Sequence, residues 1–187
     1  MASRHSPTPR GSRGFTLVEA VVVLALSAVL LALATPSFLQ LRERMAALAA
    51  FNELTLGLAQ ARMAAIQYGH PVTVCPSADG LSCRQDLVWD EGWLVFRDAA
   101  RTGEPNPALG AMWVVRRVPG PVAIRGTVGR HRVRYQPTGL SGGNNVSLRF
   151  CSRRSGLHLG SVVVNLAGRV RHGRPEGAGA PCPFALD

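Results

Sequence analysis

The sequence contains no lysine, and one long part of it contains no acidic residue. All 21 basic residues of the 187-residue chain are arginines, against 11 acidic residues. Between Pro105 and Pro175 there are twelve arginines and neither aspartate nor glutamate. A field of one sign does little for folding, but it attracts polyanions and steers their approach. Each guanidinium is a planar fork of donors that matches phosphate, so nucleic acid is the obvious polyanion. The exclusive use of arginine fits a GC-rich genome equally well.

The sequence also lacks the motifs of common enzyme and metal sites. It has no G-x-S-x-G, no H-E-x-x-H and no glycine-rich phosphate loop before a helix. The cysteines and histidines show neither C-x2-C nor H-x3-H spacing, which disfavours zinc. The histidines after the N-terminal segment, which are His70, His131, His158 and His172, have no partner at a recognisable spacing. We therefore expect no catalytic residue, no metal site and no cofactor.

Cysteine is scarce, with four residues in the chain. Behind an export-like N-terminus, four cysteines predict two disulfides formed in an oxidising compartment, and three pairings are possible. Cys75 and Cys83 enclose a turn-rich loop that closes at a small entropic cost. This favours a bond between them, which leaves Cys151 to hold the tail through Cys182.

One long hydrophobic run is present near the N-terminus. From Leu17 to Ala34 the chain is apolar except for Glu19, and at about 1.5 Å per residue this run can just span a bilayer core. A conventional signal peptide is the alternative, since Ala32-Leu33-Ala34 fits a small-x-small cleavage site. The run is longer than a usual signal core, and an unpartnered carboxylate near its start costs about 2 to 3 kcal/mol on insertion. Both features favour a membrane helix in which Glu19 has a partner.

The residues R-G-F-T-L-V-E at positions 13–19 resemble the class III signal of type IV pilins and pseudopilins. Gly14 precedes the cleavage point, Phe15 becomes the N-terminus and Glu19 becomes the fifth residue. The resemblance implies that a prepilin peptidase removes residues 1–14 and methylates the Phe15 amine. In the filament, the Glu19 carboxylate would then compensate the N-terminal cation of a neighbouring pilin. It also implies a single-pass protein of the bacterial inner membrane with its head in the periplasm, extracellular once assembled in the pilus.

The helix is expected to continue beyond the membrane. Residues 15–36 form the membrane and filament-core part, and Pro36 predicts a kink or a locally melted stretch near Leu33 to Pro36. Residues 37–69 form an amphipathic part that ends at Gly69 and Pro71. Its apolar positions recur mostly every three or four residues and predict the face that packs on a sheet: Leu41, Met45, Leu48, Leu54, Leu58, Ala61 and Ala65.

Residues 70–187 predict an antiparallel β head domain. Short strand-like runs separated by glycine and proline occupy residues 72–75, 93–97, 111–118, 122–125, 131–135, 146–151, 157–165 and 169–172. The fold class is α+β, with the long helix packed on an antiparallel sheet or small sandwich. Trp89, Trp93 and Phe96 would suit a base-stacking platform, but the alternation of residues 93–97 favours core packing.

The head narrows the resemblance to the FimT/GspH group of minor pilins and pseudopilins. Its supporting segments span nearly the whole chain, at residues 58–66, 72–83, 89–98, 135–139 and 168–171. Ala64 departs from the acidic residue expected in many relatives. In FimT-like members that serve natural transformation, a G-R-x-R motif is associated with DNA binding, and this chain has it at residues 168–171.

The resemblance implies a DNA site at Gly168, Arg169 and Arg171, and extended spacing places both arginines on one face of a strand with Val170 packed inward. Arg174, Arg153 and Arg154 could extend this track, whereas Arg132, Arg134 and Arg149 are interpreted as surface residues of half-buried strands. Two functions follow. The chain is a minor type IV pilin that binds extracellular DNA for uptake, or it is a structural tip pseudopilin of a type II secretion system whose charge meets protein partners.

Overall fold

A computed structural model describes residues 15–117, 120–143, 145–175, 177 and 179–184. The chain forms two compact units, one up to Leu41 and one from Arg42 onward. A single helix, α1 at Leu17–Tyr68, runs through both. Thr16 caps its start, since the Thr16 hydroxyl accepts the Glu19 backbone N–H at 3.2 Å. The helix is followed by Gly69, whose φ of 65° is typical of a helix terminus.

The melted stretch expected at Pro36 is wrong, because α1 is helical from Leu17 to Tyr68 without interruption. Proline removes only one backbone donor, and the residues on both sides are mostly strong helix formers such as leucine and alanine. The Thr35 hydroxyl also donates to the Leu31 carbonyl at 2.6 Å. The side chains of residues 15–38 are exposed. By length and composition, α1 is long and apolar enough to cross a membrane, and a signal sequence meets the same two criteria.

The head contains eight strands in two antiparallel sheets. The first sheet has the order β3-β2-β1-β5 and the second has the order β4-β6-β7-β8. All eight strands coincide with predicted runs, so the predicted α+β class with an antiparallel head is confirmed. Their bounds are β1 Val72–Pro76, β2 Gly92–Arg97, β3 Trp113–Arg116, β4 Val122–Arg125, β5 Val133–Tyr135, β6 Val146–Ser152, β7 His158–Val164 and β8 Val170–Gly173.

The main core lies where α1 packs on the two sheets. It encloses fully buried aromatic side chains, among them Trp89, Trp93 and Phe150. A smaller cluster combines Leu94 and Phe96 with Cys75 and Cys83. The prediction that Trp89, Trp93 and Phe96 serve packing is therefore confirmed, since a buried ring offers no face to a base.

The predicted helix face is half correct. Leu54, Leu58, Ala61 and Ala65 are buried, but Leu41, Met45 and Leu48 are each more than half exposed, and Ala47 and Ala50 are buried in their place. Counting back from Leu54 in steps of three or four residues leads to positions 50 and 47, whereas the predicted set contained a six-residue step. Near the start of the head the helix therefore packs through alanines, beside the stacked rings of Phe51 and Phe150.

Both expected disulfides are present, Cys75–Cys83 and Cys151–Cys182. Asp79 organises the loop inside the first of them. Its carboxylate accepts the backbone N–H groups of Ser82 and Leu81 at 2.9 and 2.8 Å and the Ser82 hydroxyl at 2.7 Å. These hydrogen bonds, led by that of the Ser82 N–H, hold the pKa of Asp79 well below its ordinary value.

Candidate nucleic-acid interface

The G-R-x-R residues form the turn between β7 and β8 and the start of β8. The Asn165 N–H donates to the Arg169 carbonyl at 3.1 Å, and the Gly168 N–H donates to the Asn165 carbonyl at 2.8 Å. The Asn165 side-chain oxygen accepts the Arg169 N–H at 2.9 Å. Asn165 thus bonds across the turn through both its backbone and its side chain. These bonds fix the backbone position of Arg169.

Gly168 is required by two features of this turn. Its φ is 71°, and a Cβ atom there would lie 2.1 Å from the Gly139 carbonyl oxygen of a neighbouring loop. Gly168 is itself buried. Gly168 has no side chain and little exposed surface, so its place in the predicted DNA site is to form the turn that presents Arg169.

An arginine of the helix joins the same two loops. The Arg62 Nε donates to the Gly139 carbonyl at 2.9 Å, and its Nη2 donates to the Ala167 carbonyl at 3.3 Å. Arg62 is half-buried, so these are charge-assisted bonds in partly desolvated surroundings. The turn is thereby fastened to α1.

Strand β8 has one face toward the helix and one toward solvent. Val170 packs against the main core, and the His172 Nε2 lies 3.0 Å from the Thr55 hydroxyl of α1. Arg169 and Arg171 alternate with these residues and are exposed. Neither arginine has a carboxylate partner among the residues that the structure describes. The predicted alternation is confirmed, and it leaves two unneutralised guanidinium groups at the edge of the second sheet.

The twelve arginines of the acid-free stretch divide into two groups. Five are paired with carboxylates supplied by other parts of the chain: Arg117 with Glu53, Arg125 and Arg153 with Asp90, Arg132 with Glu104, and Arg134 with Asp98. The other seven have no carboxylate partner within the described part of the chain: Arg116, Arg130, Arg149, Arg154, Arg169, Arg171 and Arg174. The positive charge available to a partner is therefore smaller than the composition indicates. It lies at the seven arginines without a carboxylate partner in the described part of the chain.

Arg153 does not extend the track as expected. Its guanidinium pairs with the carboxylate of Asp90, which is almost fully buried and also binds Arg125. Two cations on one buried carboxylate satisfy a structural need, because a buried charge without partners is costly. Arg174 and Arg154 are exposed, so they remain candidates, with Arg174 at the end of β8 and Arg154 in the turn between β6 and β7.

Arg149 belongs with the free arginines, although its sequence context predicts only a surface residue. The register pairs Arg149 of β6 with Ser161 of β7 and Ser161 with Gly173 of β8. Its neighbours Leu148 and Phe150 are buried, so Arg149 points to the outer face of the sheet, where Arg171 also lies. The alternation of residues 146–150 gives the direction of Arg149, but only the strand register shows that it shares this face with β8.

The residues predicted to serve processing and assembly lie at the other end of the chain. Phe15 and Glu19 are exposed, and Glu19 has no ion pair among the described residues. Gly14 and the rest of the expected leader lie outside the described residues. Glu19 lies in the first turn of α1 with its carboxylate exposed, and its pairing with a neighbouring pilin stays a prediction.

Comparisons with known proteins agree with these observations. A family model described as type II transport protein GspH matches residues 50–168, and one described as the prokaryotic N-terminal methylation motif matches residues 9–35. No curated protein matches the chain significantly.

The fold is similar to crystal structures of the Pseudomonas aeruginosa type IV minor pilin FimU. One crystal form gives 15% identity and a TM-score of 0.58 over 75% of this chain and 97% of that one. A second crystal form gives 14% identity and a TM-score of 0.53 over 72% of this chain and 98% of that one. The structure of the Vibrio cholerae minor pseudopilin EpsH gives 12% identity and a TM-score of 0.46 over 69% of this chain and 97% of that one. At such identities the FimU matches show a shared fold.

Proposed function

The chain belongs to the GspH family of type IV pilus and type II secretion minor pilins and pseudopilins, and we propose that it is a minor type IV pilin that binds extracellular DNA for uptake in natural transformation. The observation that carries this proposal is the outward pair Arg169 and Arg171. Both are exposed at a sheet edge, and neither has a carboxylate partner in the described part of the head. By contrast, Arg134 and Arg153 of the same acid-free stretch are neutralised.

Such a pair binds the phosphate backbone and does not read bases. Arg169 directly precedes β8 and Arg171 lies within it. Two positions of extended backbone separate their Cα atoms by about 6.6 Å, so both guanidinium groups can reach one strand of a nucleic acid backbone. Phosphate contacts position a nucleic acid without carrying sequence information. Binding is therefore nonspecific and falls steeply with salt.

The experiment compares the chain from Phe15 onward, in a neutral detergent, with its Arg169→Ala plus Arg171→Ala variant. Binding of a short duplex and of the matching single strand is followed by fluorescence anisotropy over a salt series. Loss of two phosphate contacts reduces the slope of log affinity against log salt by about 1.4 to 1.8, because each contact contributes about 0.7 to 0.9. Affinity also falls at every salt concentration.

The matched control is Arg97→Ala plus Arg101→Ala. These two arginines are exposed, have no carboxylate partner among described residues, and lie on β2 of the first sheet and in the loop that follows it. The control removes the same net charge, so a general loss of attraction affects both double variants alike. Equal slopes for the two double variants would rule out the proposed site.

The N-terminal motif supports processing before assembly. We propose that a prepilin peptidase of the inner membrane cleaves after Gly14 and methylates the Phe15 amine, that the head faces the periplasm, and that Glu19 pairs with the N-terminus of a neighbouring pilin. Mass spectrometry of the protein from its natural host should give an N-terminal peptide that begins with methylated Phe15. A peptide that begins at Thr35 would instead indicate a signal peptide cut after Ala34.

The alternative function is a structural tip pseudopilin of a type II secretion system. The family description, which names a type II transport protein, favours it. In that case the exposed arginines contact acidic surfaces of other subunits. Their removal then impairs protein secretion and leaves DNA uptake unchanged.

A further inference from the structure

A groove lies on the outer face of the second sheet, beside β8. Its volume is about 530 Å³, within the range of roughly 300 to 1,000 Å³ that is typical of ligand pockets. The sheet contributes Ser147, Arg149 and Ser161 to its lining, with Arg174 and the chain at residues 180–183 at its sides. The groove is thus large enough for a sugar-phosphate unit.

The charge of the groove is positive and unneutralised. Arg149 is half-buried and Arg174 is exposed, and neither has a carboxylate partner among the residues that the structure describes. Two guanidinium groups that line one cavity repel each other, and an anion held between them replaces repulsion with attraction. A half-buried arginine without a counter-charge is therefore better satisfied when an oxyanion occupies the groove.

The floor of the groove adds a neutral donor. Ser161 lies between Arg149 and Gly173 in the strand register. A Cβ atom at position 173 would lie 2.3 Å from the Ser161 hydroxyl oxygen, so glycine there leaves that hydroxyl room to turn toward a ligand. His158 donates its Nε2–H to the Gly160 carbonyl at 3.0 Å, since a carbonyl can only accept, and this bond holds the imidazole at the side of the groove.

The side formed by the tail is held firmly in place. The Cys151–Cys182 disulfide fastens it to β6, the His158 N–H donates to the Ala180 carbonyl at 2.9 Å, and the Cys182 N–H donates to the Gly156 carbonyl at 2.8 Å. The groove is therefore formed before any ligand arrives, which lowers the ordering cost of binding.

We propose that this groove is a phosphate-binding site in which Arg149 and Arg174 hold one phosphate and the Ser161 hydroxyl donates to it. The proposal rests on the proposed function for its ligand, which is a backbone phosphate of the same nucleic acid that Arg169 and Arg171 contact. Arg149 is two strands away from β8, about 10 Å across the sheet. The nucleic acid therefore crosses the outer face of the second sheet instead of following its edge alone.

Two measurements on the chain from Phe15 onward in neutral detergent test the groove. In the first, inorganic phosphate is titrated while the backbone amide signals of Gly160 and Ser161 are followed by NMR. Arg149→Gln weakens phosphate binding by about tenfold or more, because a hydrogen bond between charged groups is lost. Arg174→Gln weakens it in the same direction and serves if Arg149→Gln does not fold. Arg101→Gln on the other sheet is the matched control and leaves the titration unchanged.

In the second measurement, Arg149→Gln reduces the salt slope of DNA binding by about 0.7 to 0.9, one phosphate contact. Phosphate binding that is undetectable, or that neither Arg149→Gln nor Arg174→Gln weakens, would overturn the groove proposal even if DNA binding depends on Arg169 and Arg171. Phosphate binding that requires Arg149 in a protein with no affinity for DNA would retain the groove as an anion site and reject the proposed function.

Discussion

Gly168 shows how one residue sets the position of the candidate interface. Its backbone angle excludes most side chains, and the Gly139 carbonyl occupies the space that a Cβ atom would need. The exposed Arg169 follows directly, so an error in this turn moves the first guanidinium of the pair. The motif glycine therefore acts through geometry, and the two arginines act through charge.

Gly168→Ala is expected to lower the free energy of unfolding by about 3 kcal/mol, the sum of a strained backbone angle and a steric overlap. Gly156→Ala is the matched control, since Gly156 also has a positive φ, of 67°, in a hairpin turn of the same sheet but has open space at its Cβ position. Gly156→Ala should lower the free energy of unfolding by about 1 kcal/mol, because it introduces only the backbone strain. Chemical denaturation measures both, and equal losses would show that the contact with Gly139 does not constrain the turn.

Individual arginines illustrate what the sequence reveals about a site and what it does not. Arg153 and Arg171 have the same chemistry in the same acid-free stretch, yet only Arg153 is neutralised, by a carboxylate 63 residues away. Local charge counts contain no information about such distant pairs. The alternation that places Arg169 and Arg171 outward is local, so it could be predicted from the residues alone.

At the scale of elements, the strands were more predictable than the helix face. Each strand run is bounded by glycine, proline or another turn-forming residue, and these signals are local. The division of the strands into two sheets is not local, because β1 pairs with β5 across three intervening strands. The groove beside Arg149 depends on the register of β6, β7 and β8 and on the path of the tail at residues 180–183. The local alternation of residues 168–171 contains neither, so sequence patterns predict the β8 arginines but not the groove.

The prediction of the helix face was partly wrong because burial along α1 also depends on contacts with residues distant in sequence. Leucine and methionine were expected to be buried, but the head begins its contact with α1 through Ala47 and Ala50. Small residues let a helix approach a sheet closely, and their burial produces little signal in an apolar pattern already rich in alanine. The exposed Leu41, Met45 and Leu48 are available to neighbouring subunits in a filament.

At the scale of the whole molecule, each of the two compact units exposes a surface that needs a partner. The described residues up to Leu41 expose an apolar helix, which requires a membrane or other pilin helices around it. The unit from Arg42 onward has three exposed arginines and the half-buried Arg149 without carboxylate partners among the described residues; the exposed ones are Arg169, Arg171 and Arg174. A filament subunit that binds a polyanion accounts for both surfaces.

A role of the exposed arginines in DNA uptake is tested in the natural host. Strains that produce the Arg169→Ala plus Arg171→Ala variant or the Arg97→Ala plus Arg101→Ala control are assayed in parallel for transformation frequency, surface pili and exoprotein secretion. If Arg169 and Arg171 bind DNA for uptake, transformation falls strongly in the first strain alone, while pili and secretion stay at wild-type levels. Unchanged transformation with reduced secretion would contradict it and identify the chain as a secretion pseudopilin.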